Sequence, residues 1–280
     1  MKDISCNQIT GLVAKLCIDA NVFISEDIEK AIQKAYHIEE SKEGSAVLED
    51  LLENIELART KQIPVCQDTG MAVIFVEIGQ EVHFIDGILT DAINRGVAKG
   101  YTEGFLRASV VNDPFLRVNT KDNTPAVIHY DIVAGDTFKI TVAPKGFGSE
   151  NMSAMKMLLP SDGIEGVKRF IIDTVIKAGS NPCPPIIVGV GVGGTIEKAA
   201  YLSKTALLRI VGSVNPMKHI ADLEEELLDN INNLGIGPGG LGGRTTALAV
   251  NINVFPTHIA GLPVVVNIGC HVTRHATGVI

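Results

Sequence analysis

Three cysteines of this 280-residue chain sit where regular structure breaks down. Cys66 lies in Pro64-Val65-Cys66-Gln67-Asp68-Thr69-Gly70, Cys183 in Asn181-Pro182-Cys183-Pro184-Pro185, and Cys270 in Asn267-Ile268-Gly269-Cys270-His271. Loops shaped by proline and glycine fix backbone direction without filling space, which suits a thiolate presented to a cavity. The three are too far apart in sequence for any short metal-binding motif. Taken singly, each reads better as a buried thiol, since free cysteine is among the most buried residue types; the shared loop context is what argues for a set. Iron–sulfur clusters are usually held by four cysteines. A cluster held by three leaves one iron with an open position, able to act as a Lewis acid on a hydroxyl or carboxylate.

The polar neighbours fit that chemistry. Gln67 and Asp68 follow Cys66 directly and place an amide and a carboxylate beside it. Arg107 could clamp a substrate carboxylate bidentately. Arg117 precedes the polar turn Asn119 to Pro125, which could organise the same cavity; taken alone, either arginine reads as a surface salt bridge. Lys145-Gly146-Phe147-Gly148-Ser149-Glu150-Asn151 is a glycine turn running into a helix, where free backbone N–H groups bind anions. Gly235 to Gly243, ahead of Arg244-Thr245-Thr246, is either a flexible turn or a close backbone approach to a ligand.

These loops need elements to hold them. Hydrophobic content of 46% and charged content of 20% are those of a soluble globular protein long enough to bury a real core. The polar start Met1 to Gly11 lacks the apolar core of a signal peptide, and no apolar run reaches membrane-spanning length, so a cytoplasmic protein is expected. A formal charge of −8 disfavours nucleic acid and anionic membrane as partners. Five cysteines without an export signal argue against a disulfide framework, and Cys6 and Cys17 read as ordinary thiols of the first helix. Helical periodicity runs through Ile9–Cys17, Ile28–Ala35 with Ser25 as N-cap, and Ala46–Thr60. Further helices are expected at Asp86–Gly100, Met152–Leu158, Gly163–Ala178, Thr195–Leu208 and Leu223–Leu234. Strands are expected at Met71–Ile78, Pro185–Val190, Ala247–Phe255 and Leu262–Ile268, with Ala126–Val133 and Thr137–Ala143 as an antiparallel hairpin. The mixture, without a regular βαβ rhythm, predicts an α+β fold: an N-terminal helical segment, then mixed strands and helices. One domain over 1–280 is expected, with a lobe boundary, if any, near 179–185.

Over most of its length, from about residue 10, the chain resembles class I fumarate hydratase, in particular the separate α subunit of the two-subunit form; the α subunit of tartrate dehydratase is a close relative. The resemblance is carried by Ile63–Ala72, the turn at 145–151, Asn181–Pro185, Gly189–Glu197 and Leu241–Ala276. Its most specific pieces are Cys66-Gln67-Asp68-Thr69-Gly70 and Cys270-His271-Val272-Thr273-Arg274-His275. It implies a [4Fe-4S] cluster bound by Cys66, Cys183 and Cys270, with one iron not ligated by protein. It also implies substrate contacts from Gln67, Asp68, Arg107 and Gly148. Single-chain members commonly carry three consecutive glycines where this chain has Gly146-Phe147-Gly148. They also continue into a second domain that supplies a threonine base and further arginine and lysine contacts. A β subunit carrying those residues is the implied partner, and the chain alone should be poorly active or inactive.

The expected reaction is reversible hydration of fumarate to malate, with tartrate dehydration as the alternative; the Phe255–Gly261 and Cys270-His271 segments resemble the fumarase branch more. His258, His271 and His275 read as core histidines rather than substrate contacts. Two rival enzyme classes have weaker support. Gly189-Val190-Gly191-Val192-Gly193-Gly194 fits a dinucleotide-binding pattern, but no acidic residue stands near 213–216 to hold a ribose. Asp68-Thr69-Gly70 matches an aspartic protease motif, but no second copy exists to share a proton. A cluster-bearing regulator without catalysis is the remaining alternative.

Overall fold

The computed structural model describes residues 1–280. The chain divides into two units, each assembled from separate stretches: Met1–Ile24, Glu56–Phe147 and Arg274–Ile280 form the first, Ser25–Ile55 and Gly148–Thr273 the second. In chain order the elements are β1 (Lys2–Ser5), α1 (Cys6–Val22), α2 (Glu26–Ile38), α3 (Lys42–Lys61), β2 (Met71–Gly79), β3 (Val82–Ile85), α4 (Leu89–Glu103), β4 (Val127–Val133), β5 (Phe138–Lys145) and α5 (Phe147–Glu150). They continue with β6 (Ala154–Leu158), α6 (Gly163–Ala178), β7 (Ile186–Gly193), α7 (Ile196–Ala206), α8 (Lys218–Asn232), β8 (Ala247–Phe255), β9 (Leu262–Gly269) and β10 (Ala276–Val279). The α+β expectation holds.

In the first unit the strand order β10-β5-β2-β4 makes a mixed sheet. Ile74, Val76, Ile140 and Val142 project from it into a core shared with Ile9, Val13 and Leu16 of α1 and Ile93 and Val97 of α4. The stretch Cys6–Ile38 reaches the length and hydropathy of a membrane span, contrary to the expectation from sequence. Its apolar residues are accounted for by packing: the helix is interrupted between Val22 and Glu26, and Ile9, Val13 and Cys17 of α1 are fully buried. Ser25 takes the N-cap position of α2 in extended conformation, but its hydroxyl makes no capping bond.

The expected hairpin of 126–133 with 137–143 does not form. Both strands exist, but β2 lies between them, parallel to β4 and antiparallel to β5. The connecting turn is held by the end of β2: the Gly79 N–H donates to the Thr137 carbonyl, that of Gln80 to Val133 and that of Glu81 to Gly135. An apolar strand such as β2, with both edges paired, displaces what a local turn signal suggests.

In the second unit the order is β6-β9-β7-β8. Ile186, Val188 and Val190 enter a core with Val167, Ile171 and Val175 of α6 and Leu223, Leu227 and Ile231 of α8. The alternate residues of β7 face α7, as the period of two requires. Met152–Leu158, expected as helix, is strand β6 from Ala154, paired with β9 through Ala154↔Val266 to Leu158↔Leu262; pairing overrides the helical preference of Met, Lys and Leu. Helix α4 begins at Leu89, because Asp86 and Gly87 adopt positive φ. Residues 179–185 do not divide the chain: they join α6 to β7, whose side chains share one core in the second unit.

Candidate functional site

Cys66, Gln67, Asp68 and Arg107 belong to the first unit, and Gly148, Cys183 and Cys270 to the second. In the first unit, the loop 62–70 between α3 and β2 is irregular, so its backbone groups need partners from elsewhere. The Val65 N–H donates to the Asn21 carbonyl. The buried Tyr101 hydroxyl lies 2.9 Å from the Thr69 carbonyl and 3.0 Å from that of Gly70. Burial pushes the Tyr101 phenol well above its ordinary range, which keeps it a donor. Fully buried Asn123, at φ +63°, donates to the Gly70 carbonyl and accepts from the Ser109 N–H. The polar turn 119–125 reaches this loop through Asn123; Arg117 stands exposed at positive φ.

Arg274 is the residue sequence reasoning missed here. Its buried guanidinium donates to the Asp68 carbonyl at 2.7 Å and to Asn21 Oδ1 at 3.2 Å. Its place in the tail motif was the only signal in the sequence.

Asp68 Oδ1 accepts from the Gly70 N–H at 3.0 Å, and Oδ2 from the Phe147 N–H at 2.9 Å. One N–H of the 145–151 turn thus serves the chain's own carboxylate. One such bond on each oxygen leaves a lone pair on each for a ligand. Thr69 Oγ1 accepts from the Arg107 N–H at 2.9 Å and lies 3.3 Å from the Arg107 carbonyl, tying that backbone to the loop. Gln67 and Arg107 are exposed, and Arg107 is paired with no carboxylate, so the salt-bridge reading of this arginine fails.

In the second unit, Cys183 is an exposed residue at φ +56°, a conformation uncommon outside glycine and held only where the surroundings determine it. Its N–H donates to the Ser180 carbonyl, and the following Pro184 carbonyl accepts from Gly239 N–H at 2.8 Å. Cys270 follows β9, which pairs antiparallel with β7 through Gly269↔Ile187, so both cysteines stand at the same end of this sheet. His271 Nδ1 lies 2.9 Å from the Cys183 carbonyl. Gly148 sits in α5, where an added Cβ would meet only the Asn181 carbonyl at 3.8 Å. The 235–243 loop is a close approach to protein: a Cβ on Gly240 would lie 2.2 Å from Ser180 Cβ, and one on Gly243 2.6 Å from the Glu39 carboxylate, which accepts from the Arg244 and Thr245 N–H groups. His258 is exposed, against the core expectation, while His271 and His275 are half-buried.

All five cysteines are free thiols, and they separate into two kinds. Cys6 and Cys17 are fully buried in α1, and burial pushes the Cys17 thiol up to about 12, far from a ligand thiolate. Cys66, Cys183 and Cys270 lie on loops with their residues half or fully exposed. Soft, accessible donors of this kind fit a thiolate-bound iron–sulfur group. No three His, Cys, Asp or Glu side chains converge at the spacing of a single metal ion; the body of a cluster sets its ligands wider apart than one ion does.

The glycines of 189–194 have a packing role. Gly189 and Gly191 lie inside β7 rather than in the turn after it, and a Cβ on Gly191 would sit 1.9 Å from the Ala199 carbonyl oxygen of α7. The pattern brings α7 onto the sheet, and the dinucleotide motif's turn geometry is not reproduced.

Comparison with known proteins gives the family. The family described as fumarate hydratase (Fumerase) matches residues 10–279. The putative L(+)-tartrate dehydratase subunit alpha of Methanocaldococcus jannaschii is 43% identical over 275 residues, 96% of each chain. The L(+)-tartrate dehydratase subunit alpha of Escherichia coli (strain K12) is 32% identical over 280 residues, 99% of this chain and 92% of the relative. With loop cysteines, the Gln67-Asp68 pair and a match spanning nearly every residue, the chain belongs to the fumarate hydratase family.

Proposed function

We propose that this chain is the α subunit of an iron–sulfur hydro-lyase that interconverts fumarate and malate together with a separate β subunit. The observation that carries the reading is the Thr69 bridge: it fastens Arg107, exposed and unpaired, to the loop bearing Cys66, Gln67 and Asp68. A thiol, an amide, a carboxylate and a guanidinium are then carried on backbone tied together by these bonds.

Cys66, Cys183 and Cys270 would hold a four-iron cluster, which supplies a Lewis acid at the iron that protein does not ligate. Arg107 binds a substrate carboxylate with its forked donors. Gln67 orients the substrate through its amide. Asp68, fixed by two backbone N–H groups, holds or moves the proton at the departing or arriving hydroxyl. The proton on the neighbouring carbon is taken by a base on the β subunit; the naming of the relatives as alpha subunits supports such a partner. A second reading, dehydration of L(+)-tartrate, is favoured by the names of those same relatives. Malate and tartrate differ by one hydroxyl, which contacts on both subunits would read.

The test is turnover of fumarate and of L(+)-tartrate by anaerobically reconstituted chain plus β subunit, wild type and Asp68→Asn. Wild-type preference for fumarate is expected, with turnover lowered about 10²- to 10⁴-fold in the variant, the range for loss of a positioned acid–base group. Unchanged turnover in Asp68→Asn would remove the role given to Asp68, and preference for tartrate would select the second reading.

A further inference from the structure

We infer that His271 is a positioning residue for Cys183: its ring N–H ties the Cys183 turn to the segment that carries Cys270. The inference rests on the reading of both cysteines as cluster ligands. A carbonyl oxygen cannot donate, so the hydrogen of the 2.9 Å contact belongs to His271 Nδ1, and the ring is the donor to the Cys183 carbonyl.

The contact adds to the restraint of an uncommon backbone. Cys183 is held at φ +56°. The N–H of Cys183 is spent on the Ser180 carbonyl, and Pro184 and Pro185 have no N–H to offer. Gly239 N–H holds the Pro184 carbonyl on the far side of the residue. The Cys183 carbonyl is a further handle, and His271 takes it. His271 directly follows Cys270, whose carbonyl accepts from the Thr273 N–H at 2.9 Å and from Thr273 Oγ1 at 2.7 Å. The β7–β9 ladder brings the two turns to one end of the sheet, and ends at Ile187↔Gly269. Beyond that rung, the imidazole carries the connection onward. A ligand pair that must keep its spacing while a cluster is assembled or oxidised needs a tie of this kind.

The test uses the full-length chain with His271→Ala and His271→Asn. The asparagine amide nitrogen occupies nearly the place of Nδ1 and keeps a donor. Hydrogen exchange by mass spectrometry is measured on metal-free protein, and chelator-driven iron loss on anaerobically reconstituted protein. In His271→Ala the peptide spanning 180–187 is expected to exchange about tenfold faster, with the peptide spanning 66–70 unchanged, and iron to leave several-fold faster. His271→Asn should restore both. Exchange that is unchanged at 180–187, or raised equally throughout the chain in both variants, overturns the tether. Wild-type protein that takes up no iron overturns the ligand role of Cys183, and the metal-free exchange data separate that failure from failure of the tether.

Discussion

The loops around Cys66 and Cys183 solve the same problem with different materials. The Cys66 loop is held largely by side chains: Tyr101, Asn123, Thr69 and Arg274 each reach a backbone group of the loop or of Arg107. The Cys183 turn is held largely by backbone, with Ser180 and Gly239 as partners, glycine packing at Gly240, and the side chain of His271. A loop held by several side chains should weaken in steps as they are removed. A turn held by close backbone approach should tolerate little, because an added carbon has nowhere to go.

Gly240→Ala should break this contrast most severely. The residue sits at φ +75°, and a Cβ would lie 2.2 Å from Ser180 Cβ, just ahead of Cys183. A loss of roughly 3 kcal/mol or more is expected in denaturant unfolding, from strain and overpacking together. An unchanged midpoint would mean that the turn is not held by close approach. Tyr101→Phe should cost less, about 1–2 kcal/mol, for one buried donor lost while Asn123 still serves Gly70. A native-like circular dichroism spectrum with a modestly lower midpoint would mark the graded behaviour; complete unfolding would contradict it.

The smallest effect is expected at Glu39. Burial acts to raise its pKa, but the N–H groups of Arg244, Thr245, Ser41 and Glu40 outweigh it and hold the carboxyl below the usual glutamate range. With the folded value depressed, the stabilisation is present above the unfolded pKa and fades as pH falls through the folded one. Wild type should therefore lose stability on acidification relative to Glu39→Gln, and the two midpoints should converge at low pH. Parallel pH profiles would show that this carboxylate does not pin the 235–243 loop.

Where one element's own periodicity sufficed, the sequence was readable. Helix α6 runs over Gly163–Ala178, as its pattern indicates, because its apolar stripe and the glycines at 163 and 179 are local signals. The β4–β5 connection was misread because the partner that separates those strands, β2, lies far upstream. Strand β6 was misread because its register is imposed by β9, more than a hundred residues downstream.

The sequence by itself marked the loop cysteines, Gln67, Asp68 and Arg107, because proline, glycine and residue chemistry are written locally and the family likeness spans them. Tertiary structure alone decided what holds those residues. Arg274 is paired with the Asp68 carbonyl, His271 with that of Cys183, and Glu39 with Arg244 and Thr245, across separations from 88 to 206 positions. Such bonds depend on where a folded backbone leaves a donor or acceptor unmatched, and no pattern of neighbouring residues records that.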